Sequence, residues 1–394
     1  MSDPMLNANW NYPTKIWFGP GRISELAPAC RDIGIARPLI VSDPFFSGLP
    51  VMADLRTALS TAGITTGLFD RLQGNPTAKN LEDGIAAFRE GGHDSVIAIG
   101  GGSALDIGKT IAFMAGQTRP VWDFEDVGDC WRRADSEAIA PVIAIPTTSG
   151  TGSEVGRATV IADDRTHEKK IIFHPLMMPR IVIADPALTI GLPEPMTVGT
   201  GMDALAHNLE AFCALSYHPM ADAIAVDGIR LLQRWLPVAA KDGENVEARA
   251  HVMAAASMGG TSFQKGLGAI HSLSHPIGSI LGLHHGMTNA VLLPYVIDYN
   301  RPAIGEKMEH LAYAMRLDGA GSGVDRFIAW ATEFRKQLGV PHTLAEFDVR
   351  PEHFGKIAKM SVSDPTAGTN PVALTVEGST QILQAAYEGK LSTP

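Results

Sequence analysis

The residues able to do chemistry are not spread evenly along this chain. Four of its thirteen histidines, His271, His275, His284 and His285, fall within fifteen residues. Upstream, Asp203 and His207 stand four apart. On a helix that spacing puts both side chains on one face, where they can share a ligand. A carboxylate with imidazoles suits Fe²⁺, Zn²⁺ or a similar divalent cation. His271 and His275 repeat the i, i+4 spacing. That pair can supply a ligand and a neighbour that orients a ligand or handles a proton. His284-His285-Gly286 reads as a turn from which one imidazole points inward. Spacing alone leaves open which histidines bind.

Two glycine-rich turns suggest a second kind of site. Gly100-Gly101-Gly102-Ser103 follows an apolar run and opens a helical one. Without Cβ atoms the backbone N–H groups can approach a pyrophosphate, and a helix N-terminus favours its charge. The turn is not a P-loop. Five residues, not four, separate Gly102 from Gly108-Lys109-Thr110, which displaces the lysine from the phosphates. The second turn, Pro146–Glu154, carries five hydroxyl side chains and two glycines, donors for a polar ligand lying across a sheet. Asp43 ends another apolar run. An acid there can accept from an adenosine ribose 2′-OH and repel a 2′-phosphate.

The elements that must position these residues alternate in the first half. Strand-like runs at Thr14–Gly19, Pro38–Asp43, Thr65–Asp70, Asp94–Gly101 and Pro141–Thr148 are separated by helical spacing at Gly21–Gly34, 51–62, Thr77–Gly91 and Ser103–Ala115. Short connections between such units predict a parallel sheet covered on both faces, with ligands beyond the carboxyl ends of its strands. Beyond the prolines near 186–195 the pattern becomes helical, at 199–215, 219–240, 246–264, 306–316 and 323–338. The expectation is an α/β domain over 1–190 and an all-helical domain over 191–394.

Composition removes other answers. The chain has 394 residues, 45% hydrophobic and 19% charged, which is globular rather than disordered. A net charge of -10 without a basic stripe argues against nucleic acid. Cys30, Cys130 and Cys213 form no CxxC pair, so neither a disulfide framework nor a thiolate metal site is expected. No membrane-length apolar run or signal-peptide pattern occurs, and a soluble cytoplasmic protein is the expectation.

Together, GGGSALDIGK (100–109), PTTSGTGSE (146–154), GMDALAHNLE (201–210), GAIHSLSHPIG (268–278) and HHGMTNAVLLP (284–294) resemble the iron-containing (group III) alcohol dehydrogenase family, in order and in spacing. The resemblance runs from about residue 10 to the C-terminus. It implies a dinucleotide-binding α/β domain, a helical domain and an active site in the cleft between them. It places the metal, Fe²⁺ with Zn²⁺ as the other candidate, on Asp203, His207, His271 and His285. It leaves His275 beside the nicotinamide and the substrate. Asp43, Asn75, Gly101, Gly102, Ser103, Asp106, Thr147, Thr148, Thr151 and Lys169 match cofactor-contacting positions; at Lys169 the adjoining Lys170 allows a one-residue slip. The acid at position 43 resembles that of members selective for NAD over NADP.

The activity this implies is hydride transfer between NAD(H) and a primary alcohol or aldehyde, in a homodimer or larger homo-oligomer. The second reading is a hydroxy-acid (semialdehyde) dehydrogenase of the 4-hydroxybutyrate type. Lys265 stands where many relatives resemble an Asn-containing pattern. Facing the substrate it would favour an anion; the alternative is a side chain that snorkels to solvent. Dehydroquinate-synthase-like lyases resemble a Glu-His-His metal set, unlike the Asp-His pair here. Maleylacetate reductases look shorter and lack the full set. A metal-free scaffold on the same fold predicts eroded ligand positions, yet all four are present.

Overall fold

The computed structural model describes residues 12–391 apart from Gln73, Asn75 and 164–168. The chain forms two compact units, Tyr12–Gly191 and the residues from Leu192 onward.

The first unit holds strands β1 (Lys15–Phe18), β2 (Pro38–Val41), β3 (Gly67–Phe69), β4 (Ser95–Gly100), β5 (Val142–Pro146), β6 (Ala158–Ala162), β7 (Lys169–Phe173) and β8 (Ile181–Ala184). Its helices are α1 (Leu26–Asp32), α2 (Pro44–Ser47), α3 (Pro50–Thr61), α4 (Ala78–Glu90) and α5 (Gly102–Met114). Six strands make one parallel sheet in the order β1-β8-β5-β4-β2-β3. Every residue of β2, β4, β5 and β8 is buried, the pattern expected of strands covered on both faces. The chain leaves β2 for β3 on one side and returns to β4 on the other. The carboxyl ends of β2 and β4 therefore flank a switch point, the usual place for a ligand in such a sheet. The antiparallel pair β6–β7 stands apart from this sheet and was not foreseen from the sequence.

The second unit is helical: α6 (Glu194–Cys213), α7 (Pro219–Lys241), α8 (Val246–Ser262), α9 (Ala269–Leu281), α10 (His285–Ala314), α11 (Gly323–Gln337), α12 (Pro351–Ser363) and α13 (Val376–Glu388). The α/β and all-helical architecture matches the expectation. Helix α6 is buried along most of its length and packs on α7, α8 and α10. A helix so enclosed can carry polar side chains only where they find partners.

The stretch at 306–316 is the end of a much longer helix, α10, whose first half is too uniformly apolar to show a helical stripe. Pro294 lies inside it and has no N–H for the carbonyl of Ala290. The buried Arg335 guanidinium fills that role, with Nη1 donating to Ala290 O at 3.3 Å and Val291 O at 2.8 Å. This side chain keeps α10 continuous just beyond the segment that bears His285.

Candidate metal centre and cofactor cradle

Three helices of the second unit bring the metal candidates together. Helix α6 carries Asp203 and His207 one turn apart, α9 carries His271, and α10 begins with His285. His284 is the N-cap of α10, with Nδ1 accepting from Met287 N, so the expected turn at 284–286 is a helix start. Close approach of α6 and α10 requires a glycine. A Cβ on Gly286 would lie 2.0 Å from the carbonyl oxygen of Gly199 and 3.1 Å from Asp203 Cβ.

Asp203 Oδ1 is the hub. It lies 3.5 Å from His271 Nε2, 3.5 Å from His285 Nε2 and 3.9 Å from His207 Nε2. Two ligands of one tetrahedral ion, each about 2.1 Å from it, sit about 3.4 Å apart. The donors of Asp203, His207 and His271 all lie within 4.8 Å of one another, and all three residues are buried. His285 flanks them with its side chain about a third exposed, at 32%. A buried carboxylate ringed by imidazole nitrogens at ligand spacing fits a divalent cation.

The electrostatics agree with that use. Burial alone would raise the Asp203 pKa, but His207, His285 and His271 hold it far below the carboxylate range. Burial would lower His271, yet Glu210 and Asp203 outweigh it and push the imidazole up to about 10.

Several residues at this centre escaped the sequence reading. Asn289 Nδ2 donates to Asp203 Oδ1 at 2.8 Å and lies 3.2 Å from His285 Nε2 and 3.3 Å from His271 Nε2. Glu210 Oε2 is 2.6 Å from His271 Nδ1. Asp364 Oδ2 is 2.8 Å from His275 Nδ1, and Asp364 Oδ1 accepts from the Thr366 amide and hydroxyl. Burial would raise the Asp364 carboxyl, but His275 and Thr366 hold it below its usual range. Spacing offered a signal for two of these. Glu210 is seven residues past Asp203, and Asn289 four past His285, each on the ligand-bearing face of its helix. His275 itself stacks on His285 with ring centroids 5.4 Å apart.

The first unit gathers most of the cofactor candidates at the carboxyl ends of β2, β4 and β5. Gly101 is the N-cap of α5 and offers no side-chain cap to its first N–H groups. A Cβ on Gly102 would strike Thr151, 2.5 Å from Cγ2, and one on Gly101 would lie 3.4 Å from Thr148 Cγ2. The glycine turn and the Ser/Thr turn are thus in contact, with Thr147 N donating to Gly100 O at 2.9 Å. Asp43 borders the same turn: a Cβ on Gly100 would lie 3.0 Å from its Oδ2, while Oδ1 caps α2 through Phe46 N at 2.9 Å. The glycines let the two turns pack this closely, and the uncapped N–H groups at the start of α5 suit a dinucleotide pyrophosphate.

The remaining candidates sit differently. Ser103 Oγ donates to Gly74 O at 2.7 Å, so it also ties down a neighbouring loop. Asp106 accepts from Ser153 Oγ at 2.5 Å and from Val160 N at 2.9 Å, which makes it a brace for the Ser/Thr turn. Burial raises its carboxyl above the usual range. Lys169 opens β7 opposite Ala162. Asn75 lies outside the described residues. Lys109 is fully buried and donates to the carbonyls of Ser153, Gly156 and Ala158, confirming that it is no phosphate lysine.

Lys265 requires a correction. It neither snorkels to solvent nor stands free for an anion. It is 4% exposed, pairs with Asp222 and donates to Phe212 O at 3.0 Å, where Lys307 also reaches the C-terminal carbonyls of α6. Burial lowers its pKa to about 8. The alkyl stem could be enclosed because Asp222 and the end of α6 supply the partners that sequence could not reveal. Lys265→Ala should therefore cost stability, about 2 kcal/mol with Lys307 still beside Asp222. It should affect neutral and carboxylate-bearing substrates alike. Thermal melts with paired kinetics check this, and a loss confined to the anionic substrate would contradict it.

Known proteins complete the picture. Residues 13–186 match the iron-containing alcohol dehydrogenase family, and residues 197–387 match the C-terminal part of the Fe-containing alcohol dehydrogenase family. The chain is 38% identical over 374 residues to a 4-hydroxybutyrate dehydrogenase of Cupriavidus necator, covering 91% of this chain and 94% of that one. It is 31% identical to an NAD-dependent methanol dehydrogenase of Bacillus methanolicus, covering 96% and 99%. Among solved structures it is similar to a 1,3-propanediol oxidoreductase with a TM-score of 0.91 and 32% identity, covering 96% and 100%.

Proposed function

The chain belongs to the iron-containing alcohol dehydrogenase family, and from that premise we propose that it transfers a hydride between NAD(H) and a primary alcohol or aldehyde. The observation that carries this reading is the single buried carboxylate oxygen of Asp203 with three imidazole nitrogens 3.5–3.9 Å away. Asp203, His207, His271 and His285 are the proposed ligands of Fe²⁺ or Zn²⁺. The turns at 100–103 and 147–151, with Asp43, Asn75, Asp106 and Lys169, are the proposed NAD site. No helix among the described residues is long and apolar enough to cross a membrane. A cytoplasmic homodimer or larger homo-oligomer belongs to the same proposal.

A divalent cation held by the four ligands would act as a Lewis acid on the substrate oxygen. A nicotinamide held by the first unit would carry the hydride. The chain's own residues supply position and proton handling. Asp203 is the anionic donor, and Asn289 fixes the oxygen it offers. Asp364 accepts a hydrogen bond from the Nδ1–H of His275, which leaves Nε2 as the atom that can accept the substrate hydroxyl proton in oxidation and return it in reduction. No nucleophile is needed.

The hydroxy-acid reading is favoured by one observation, the 38% identity to a 4-hydroxybutyrate dehydrogenase over nearly its full length. Lys265 gives it no support. The test is NADH consumption by Fe²⁺-loaded protein with two short aldehydes, one neutral and one bearing a terminal carboxylate. Turnover of the neutral aldehyde supports the alcohol dehydrogenase reading. Turnover of the carboxylate-bearing one alone replaces it with the hydroxy-acid reading.

Asp43 supplies a prediction on cofactor choice. Asp43→Gly removes the charge that would repel a 2′-phosphate. At an N-cap the change costs only about a few tenths of a kcal/mol, so the fold should survive. kcat/KM with NADPH should rise about tenfold or more, and that with NADH should fall. Unchanged NADPH kinetics would remove Asp43 from the cofactor site.

A further inference from the structure

Resting on the metal-centre reading above, we infer that Glu210 is a positioning residue that fixes His271 as a metal ligand by holding its Nδ1 proton and aiming Nε2 at the Asp203 oxygen. Helix α6 carries Asp203, His207 and Glu210 at i, i+4 and i+7, so one element presents a carboxylate ligand, an imidazole ligand and the group that orients a third. Glu210 is 5% exposed. Its Oε1 accepts from Ile270 N at 2.6 Å, and its Oε2 meets His271 Nδ1 at 2.6 Å. The first contact stops the carboxylate from rotating, and the second then fixes the ring. A Cβ on Gly268 would come within 3.1 Å of Oε1, so the carboxylate is walled in by backbone as well.

The two contacts do different work. The N-cap of α9, Gly268, offers no side chain, and its first free N–H groups are met from outside. Asn370 Oδ1 takes Ala269 N at 3.0 Å, and Glu210 Oε1 takes Ile270 N. Those two oxygens meet the first two N–H groups of the helix. The contact of Oε2 with His271 adds nothing to the helix end. What it does is hold the proton on Nδ1, so that Nε2, 3.5 Å from Asp203 Oδ1, is the nitrogen whose proton a cation would replace. A carboxylate on the far nitrogen also raises the basicity of the ligating one, and loss of such partners typically costs about 10–100-fold in metal affinity.

The test compares Glu210→Gln with wild type, using Co²⁺ as the probe metal on chelator-stripped full-length protein. Gln keeps the shape and an acceptor for Ile270 N but loses the charge that holds the Nδ1 proton. The expected result is a Co²⁺ dissociation constant raised about 10–100-fold, with shifted visible d–d bands, while the stripped protein melts near the wild-type temperature. Wild-type affinity and an unchanged Co²⁺ spectrum in E210Q would overturn the role of Glu210 and leave the metal centre standing. So would an affinity loss with unchanged bands that merely follows a large drop in melting temperature, which marks a helix cap alone. A wild-type protein that takes up no Co²⁺ would overturn the metal centre itself, and the role of Glu210 with it.

Discussion

Asp203→Ala is expected to abolish metal retention and lower turnover by at least about 10³-fold, while NADH binding stays at wild-type affinity. The magnitude follows from the loss of Lewis-acid stabilisation worth several kcal/mol, about tenfold for each 1.4 kcal/mol. The selectivity follows from placement. Asp203 Oδ1 is the atom shared by all three imidazole nitrogens, and it lies in the helical unit, whereas the glycine cradle is built within the α/β unit. Removing any one histidine leaves the carboxylate and two donors. Removing Asp203 takes away the charge that offsets the cation. It also leaves the Asn289 amide without the acceptor it now has at 2.8 Å. Metal analysis after gel filtration, together with NADH fluorescence titration, checks both halves. Metal content at the wild-type level in this variant would refute the ligand assignment.

Gly102→Val should produce the opposite pattern, with NADH affinity lowered tenfold or more and metal content unchanged. The first carbon of any side chain at this position would sit 2.5 Å from Thr151 Cγ2 and 3.1 Å from Thr151 Cβ. Rotating the threonine relieves the contact with its methyl group but not that with Cβ. Valine's branch enlarges the conflict, so the two turns must separate. The N–H groups at the start of α5 would then be screened from a pyrophosphate by the new side chain. Isothermal titration with NADH alongside metal analysis tests this. Unchanged NADH affinity would mean that the cofactor does not use this cradle. Together the two variants separate the functions of the two units, which no single loss of activity could do.

Much of this was legible in the sequence because local spacing carried it. Apolar runs ending in Asp43, Gly101 and Thr148 marked the carboxyl ends of buried parallel strands, which is where such a sheet topology leaves room for a ligand. The i, i+4 pair Asp203 and His207 placed two donors on one helical face before any fold was known. What spacing could not show was contact between distant elements. Lys265 and Asp222 are 43 residues apart, and only the packing of the turn at 263–265 against α6 and α7 joins them. Asp364 reaches His275 across 89 residues, and Glu210 reaches His271 across 61. Helix α10 hid for a different reason. Its first half is buried on all sides, so it shows no amphipathic period, and two internal prolines argued against a helix at all.

The most direct test is a titration of Fe²⁺ into chelator-stripped protein under anaerobic conditions, following NADH oxidation by a short neutral aldehyde. The account predicts negligible turnover before addition, a rise that saturates at one equivalent of Fe²⁺ per chain, and no rise in Asp203→Ala. Full turnover in the stripped wild type, or equal activation of Asp203→Ala, would contradict it.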